Sequence, residues 1–197
     1  MKPKETLLCI PDISGFTSFM SQTDFELGAK VIPSLLNKIV YSNDIGLKIS
    51  EIEGDAVLFY RSGALPGLAE LIAQCRHFHL QFYKQLIALR ARYNDEEGSE
   101  KIPEILGLKI ILHFGEEVGQ VPVGKRIKLI GEDVIIAHKL LKNDIKGDEY
   151  ILLSDALLSK YPETERSNIL DKLELQEGYI MDDHLGKVKY TFTALAK

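Results

Sequence analysis

Apolar positions along the chain change period several times, and each change marks an element. Thr6-Leu7-Leu8-Cys9-Ile10-Pro11 is a continuous apolar run that stops at Asp12-Ile13-Ser14-Gly15, the pattern of a buried strand ending in a turn. Over residues 25–40, Ala29, Ile32, Leu35, Leu36 and Ile39 recur at three- and four-residue steps, which predicts a helix with Pro33 as a kink or boundary. Residues 46–52 and 56–60 are β-rich and joined through Glu53-Gly54-Asp55, a hairpin pattern. Leu68, Leu71, Ile72, Cys75, Phe78, Phe82, Leu86 and Leu89 then line one face of a long helix, bounded by Pro66-Gly67 and by the polar loop 94–100. That face is expected to cover a sheet.

Residues 108–114 and 118–130 read as further strands, turning at Gly115 and again at Gly124. A helix over 132–141 follows Gly131, with two acids at its positive end. Residues 149–153 form a short strand and 155–160 a short helix ended by Tyr161-Pro162. In the last element Val188, Tyr190, Phe192 and Ala194 alternate with Lys187, Lys189, Thr191 and Thr193, the mark of a half-buried antiparallel strand. This order predicts an α+β fold, a ferredoxin-like antiparallel sheet with helices packed on one face.

The composition agrees with a water-exposed globular chain: 197 residues, 45% hydrophobic and 27% charged. That length supports one core without disulfide or metal staples, so residues 1–197 are expected to form a single domain. No apolar run approaches the ~20 residues that cross a bilayer. The first residues lead straight into a strand pattern without a signal-peptide core. The expectation is a cytoplasmic protein with no membrane partner. Cys9 and Cys75 lie in apolar segments without CxxC spacing, which argues against a disulfide framework or structural zinc. A net charge of −5 argues against nucleic-acid binding.

Candidate chemistry starts from two acids, Asp12 at the end of the first strand and Asp55 in the hairpin turn. If those strands are neighbours, the carboxylates converge into a set that Mg²⁺ accepts, with waters and phosphate oxygens completing its shell. Ile13-Ser14-Gly15-Phe16-Thr17 follows Asp12 and runs toward a helix, so its backbone N–H groups can cradle a polyphosphate. On local pattern alone, Asp12 making an Asx turn or a cap and Asp55 filling a turn is the simpler account.

The stretch Pro11-Asp12-Ile13-Ser14-Gly15-Phe16-Thr17 is similar to the opening motif of the class III nucleotidyl cyclases, Asp-Ile-x-Gly-Phe-Thr after the first strand. Glu51-Ile52-Glu53-Gly54-Asp55-Ala56 resembles that family's Gly-Asp hairpin. Lys109-Ile110-Ile111-Leu112-His113-Phe114-Gly115 resembles its Arg-Ile-Gly-Ile-His-Thr-Gly strand. Gly131-Glu132-Asp133-Val134-Ile135-Ile136-Ala137-His138-Lys139-Leu140 resembles its Gly-Asp-x-Val-Asn-x-Ala-x-Arg-Leu helix. The likeness spans residues 6–195 in family order. It implies that Asp12 and Asp55, with the Ile13 carbonyl, hold two divalent ions, Mg or Mn. It implies too that Ile13, Ser14, Gly15, Phe16 and Thr17 hold the triphosphate of a nucleoside triphosphate. Paired sites at a head-to-tail interface are implied as well, in a homodimer or in a heterodimer with another cyclase-like chain.

The departures carry as much information. The family's ribose-orienting Asn falls on Ile135, and its transition-state Arg on Lys139, which keeps the charge but loses the forked donor set. Leu185-Gly186 stands where a Lys-Gly pair is common, with Lys187 one step late. Lys109 sits at the family's strand arginine and can partly compensate. Glu51 falls on a base-reading position and leans toward guanine; its partner position falls on Lys128, and the two could satisfy one another across a dimer interface, closing the base pocket. The resemblance thus implies a protein that binds a metal–nucleoside triphosphate with weak or absent cyclase activity. An active cyclase using Lys139 and Lys109, or a non-catalytic interaction module, are the alternatives.

Among smaller signals, His77 and His79 lack the i, i+4 spacing of a helical metal site and read as surface or boundary residues. His113 reads as structural. His138 is expected on the helix face opposite the catalytic one. The basic run Gly124-Lys125-Arg126-Ile127-Lys128 reads as a solvated hairpin tip.

Overall fold

The computed structural model of the chain describes residues 2–195. Its centre is β1 (Lys4–Ser14), flanked by β3 (Ala56–Ser62) and β4 (Gly107–Val123). β2 (Lys48–Glu53) pairs with β3, and β6 (Tyr150–Ser154) lies beside β4. β8 (Gly186–Ala194) and β7 (Leu175–Asp182) complete the order β2-β3-β1-β4-β6-β8-β7, with β5 (Arg126–Ile130) paired to β4 off this path. Every pairing is antiparallel except β4 with β6. The expected α+β architecture is therefore the one observed.

β1 is longer than its apolar run, because it continues through Pro11 to Ser14. A central strand seldom tolerates proline, which has no N–H for the ladder. Here the ladder to β3 jumps from Cys9↔Phe59 to Asp12↔Ala56, while the one to β4 continues through Pro11↔Ile110. The missing donor falls in that gap.

Two cores result from the alternation of β1. Leu7, Cys9 and Ile13 face one core, with α1 (Phe16–Gln22), α2 (Phe25–Tyr41), α3 (Leu68–Arg92), α4 (Lys101–Ile105), α6 (Asp155–Leu158) and α7 (Glu163–Leu170) packed over it. Leu8 and Ile10 face the other, where α5 (Glu132–Leu140) contributes Val134, Ala137 and Leu140. The helices thus lie mainly on one face, as expected, and α5 covers part of the opposite one.

Polar ties lock the helical layer. Buried Gln74 donates to the Ser42 carbonyl at 2.7 Å and accepts from the Asp44 amide at 2.8 Å, joining α3 to the end of α2. Glu165 of α7 accepts from the Leu68 amide at 2.8 Å, a cap supplied from a distant segment because Gly67 has no side chain to offer. The Tyr83 hydroxyl donates to the buried Glu149 carboxylate, and His79 stands 3.9 Å from the same group. His79 is accordingly buried, whereas His77 is half-buried beside Asp44.

Two expectations are corrected. Pro33 neither ends nor divides α2, which runs unbroken for 17 residues. Its apolar face, from Val31 and Ile32 to Leu35, Leu36 and Ile39, is buried, and that packing outweighs one missing backbone hydrogen bond. Gly115 makes no turn either, because β4 continues through it and the register shifts there instead, between the pairs Thr6↔Gly115 and Lys4↔Val118. A side chain at Gly115 would meet Asp133 Cβ at 2.6 Å, so the glycine is needed for close approach by α5. The turn at Gly124 is present, with φ +61°.

Phe78 is fully buried and stacks on Phe59 with ring centroids 5.7 Å apart, joining α3 to β3. Phe78→Ala is expected to lower unfolding stability by about 3–5 kcal/mol, read by urea denaturation. A loss below about 1 kcal/mol would show that α3 is not anchored through this contact.

Candidate functional site

Alternation along β1 puts Asp12 on the same face as Leu8 and Ile10, below α5. The strand register sets it opposite Ala56 on β3 and Lys109 on β4. The two-residue turn Gly54-Asp55 joins Glu53 to Ala56, with Gly54 at φ +59° as so tight a connection requires. The Ile13 amide donates to the Asp55 carbonyl at 3.0 Å and fastens the turn to the end of β1. The two acids therefore line one cleft of ≈ 160 Å³, together with Glu51, Glu53, His138 and Leu58.

Lys109 supplies the nearest cation, its Nζ 2.9 Å from Asp12 Oδ2 in a pair mostly shielded from solvent. Burial raises the Asp12 carboxyl above the ordinary carboxylate range; Lys109 pulls it down and Asp55 pushes it further up. Asp55 is likewise raised by burial, against its own backbone amide and Lys109. Burial works against the charge of Lys109, but Asp12 outweighs it and holds the ammonium above its usual value. The donor chemistry fits a divalent cation: two oxygen-rich side chains converge where positive charge is short even with Lys109 in place.

The turn after β1 is built tightly. Ser14 Oγ donates to the Asp148 carbonyl at 2.5 Å. Gly15 adopts φ +76°, and a Cβ there would lie 2.1 Å from the Ile105 carbonyl oxygen, so only glycine fits. α1 then starts without a capping side chain, which leaves the first amides, at Phe16 and Thr17, for an external acceptor.

The remaining expected residues are placed elsewhere. Lys128 Nζ lies 2.8 Å from Glu51 Oε2 within a single chain, which corrects the expectation of a pair across a dimer interface. Ser50 Oγ donates to the Ile127 carbonyl at 3.0 Å beside it, so the β4–β5 hairpin folds back onto its own β2. Lys139 Nζ lies 2.8 Å from Asp182 Oδ2 at the end of β7, and that pairing lowers Asp182 to about 2. Ile135 is exposed, and neither it nor Lys139 lines the cleft of its own chain. Lys187 sits 4.1 Å over the Tyr179 ring.

Two cleft residues were not foreseen. Glu53 follows Glu51 by two positions, so the strand period alone places both on one side, a signal legible in the sequence. His138 was expected to face away; α5 instead turns its Ile135–Lys139 side toward β7 and its His138–Leu141 side toward β2 and β3. His113 is structural as expected, with Nδ1 2.8 Å from Ser154 Oγ and Nε2 3.2 Å from Asp133 Oδ1, tying α5 to β4 and β6. A larger groove of ≈ 850 Å³ lies on the far side of α5, floored by Tyr150, Tyr190 and Phe192 and edged by Lys142 and Lys146.

A family model described as a protein of unknown function (DUF2652) matches residues 32–150. The uncharacterized protein Rv2561/Rv2562 of Mycobacterium tuberculosis is 27% identical over 123 residues, 61% of this chain and 56% of that protein. The chain thus spans little more than half the length of this curated relative. Among solved structures, the guanylyl cyclase Cya2 aligns with a TM-score of 0.64 at 17% identity, over 98% of this chain and 94% of that one. The adenylyl cyclase CyaB from P. aeruginosa aligns at 0.58 and 19%, over 100% and 96%. The guanylate cyclase domain of RhGC from Catenaria anguillulae, solved in complex with GTP, aligns at 0.58 and 18% over the full length of both chains. The fold is that of adenylyl and guanylyl cyclase domains. Among the described residues no helix is long and apolar enough to cross a membrane.

Lys109→Met would leave Asp12 buried without its cation and is expected to cost about 3 kcal/mol of stability at neutral pH in urea denaturation. Unchanged stability would mean the pair contributes nothing. Asp133 is held below its usual value first by the His113 hydrogen bond. A depressed carboxyl stabilises the fold above its unfolded value and loses that contribution as pH falls through the folded one. Asp133→Asn is therefore expected to be about 1 kcal/mol less stable than wild type at pH 7, with the gap closing as the pH falls through the ordinary carboxylate range and below it. A gap that stayed constant with pH would contradict this.

Proposed function

The chain belongs to the DUF2652 family, and we propose that it is a cyclase-type domain, spanning residues 1–197, that binds a divalent metal–nucleoside triphosphate with little or no turnover. The observation that carries this reading is the convergence of Asp12 and Asp55 beside Lys109 in a cleft to which Ile135 and Lys139 bring neither a ribose ligand nor a forked cation.

Asp12, Asp55 and the Ile13 carbonyl would hold Mg²⁺ or Mn²⁺. Such ions, when bound, lower the pKa of a ribose 3′-hydroxyl and neutralise charge at the α-phosphate. The chain's own residues do the rest of the binding. The amides at Phe16 and Thr17, reached through the Ser14-Gly15 turn, donate to phosphate oxygens. Lys109 adds positive charge from the neighbouring strand. Catalysis is where the chain falls short, because isoleucine cannot hydrogen-bond a ribose. A lysine paired to Asp182 also presents no planar fork to a developing negative charge.

Assembly follows from size. A cleft of ≈ 160 Å³ accommodates phosphates and cations but is smaller than the roughly 300–1,000 Å³ of ordinary ligand pockets. The aromatic groove beyond α5 supplies a second half-site, and a head-to-tail dimer would set the cleft of one protomer against the groove of the other. Glu51 and Lys128 stand at the base-reading positions already paired, which supports a closed or altered base pocket.

Titration of the purified protein with ATP and GTP in Mg²⁺ and Mn²⁺, with mass spectrometry for cyclic products, tests the reading. Binding that is lost in Asp12→Ala and Asp55→Ala, without product in wild type, is expected. Ile135→Asn combined with Lys139→Arg is expected to raise product formation by at least about 10²-fold. Cyclic product from wild type abolished by Asp12→Ala would establish an active cyclase, and absence of binding would leave an interaction module.

A further inference from the structure

The cleft holds a second donor set beside its aspartates. Glu51 and Glu53 stand two apart on β2 and project from one side of the strand. α5 passes over the same cleft and brings His138 against them. One ligand atom from each residue lies within 4.8 Å of the other two. Among the described residues the His138 imidazole makes neither a hydrogen bond nor an ion pair, although two carboxylates stand this near. The three groups surround a common space.

We propose that Glu51, Glu53 and His138 form a three-ligand site for a transition-metal dication of the Zn²⁺ type, distinct from the Asp12–Asp55 pair. An imidazole with two carboxylates selects against Mg²⁺ and Ca²⁺, which take oxygen alone, and suits Zn²⁺ with a water in fourth place. Lys128 binds Oε2 of Glu51 and leaves the other carboxylate oxygen for the cation. It then orients that ligand as outer-shell partners commonly do. Its half-exposed ammonium can also swing into solvent when positive charge arrives. The bound ion joins β2 to α5 across the mouth of the cleft. The site shares this cleft, and Glu51, with the nucleotide reading, but none of its ligands is one of the acids assigned to the triphosphate's metals, and it needs no nucleotide to form.

The test is titration of the chelator-stripped full chain with Co²⁺ and then Zn²⁺, without nucleotide. One equivalent of Co²⁺ is expected to give the intense visible bands of a four-coordinate ion and to be displaced by Zn²⁺. Glu53 is exposed and His138 only half-buried, so Glu53→Gln and His138→Ala are expected to fold. Each should weaken Zn²⁺ binding by about 100-fold or more, since outer-shell partners alone are worth about 10–100-fold. Asp55→Asn should leave Zn²⁺ affinity unchanged. Absence of four-coordinate Co²⁺ bands, wild-type affinity in His138→Ala or Glu53→Gln, or loss of Zn²⁺ binding in Asp55→Asn would each overturn the proposal.

Discussion

The central position of β1 governs the molecule. Leu7, Leu8, Cys9, Ile10 and Ile13 are all essentially inaccessible to solvent, which is possible only for a strand with neighbours on both edges and apolar layers on both faces. Burial of this kind forbids slippage, because a one-residue shift would carry Asp12 into the helical core and Ile13 out of it. The same constraint that forms the two cores therefore delivers Asp12 between Ala56 and Lys109, and brings the Gly54-Asp55 turn to the strand's end.

Charge in and around the cleft is answered only in part within the chain. Lys109 answers Asp12, Lys128 answers Glu51, and Lys139 answers Asp182. The last two pairs lie near the surface and add little to stability. Their effect is directional: they hold side chains that the cyclase likeness would otherwise assign to a ligand. A ligand entering here must compete with those pairings, which adds a physical reason in favour of the weak turnover proposed.

α5 is the junction between these sites. Gly115 lets Asp133 approach β4, and His113 secures it from below while also reaching Ser154 on β6. Held at that end, the helix presents different sides to different partners, with His138 toward β2 and β3 and Lys139 toward β7.

The amino-acid sequence determined those features that depend on local pattern. The two-residue period of β8, the apolar face of α3 and the Gly-Asp turn were all legible, because each is encoded among neighbouring residues; local pattern alone favoured a turn role for Asp12 and Asp55, and only the likeness of their segments set them apart. Short elements such as α1, α4 and α7 were not legible, since they carry too few apolar positions to establish a period. Gly115 misled for a related reason: glycine marks a turn and a close approach equally well, and only the packing of Asp133 distinguishes them. Tertiary structure alone decided that Lys128 meets Glu51, 77 residues away, in the same chain, and that His138 joins Glu53 in the cleft. Those contacts depend on how a hairpin folds back and which side of a helix faces the sheet, and both are set by packing between segments far apart in the chain.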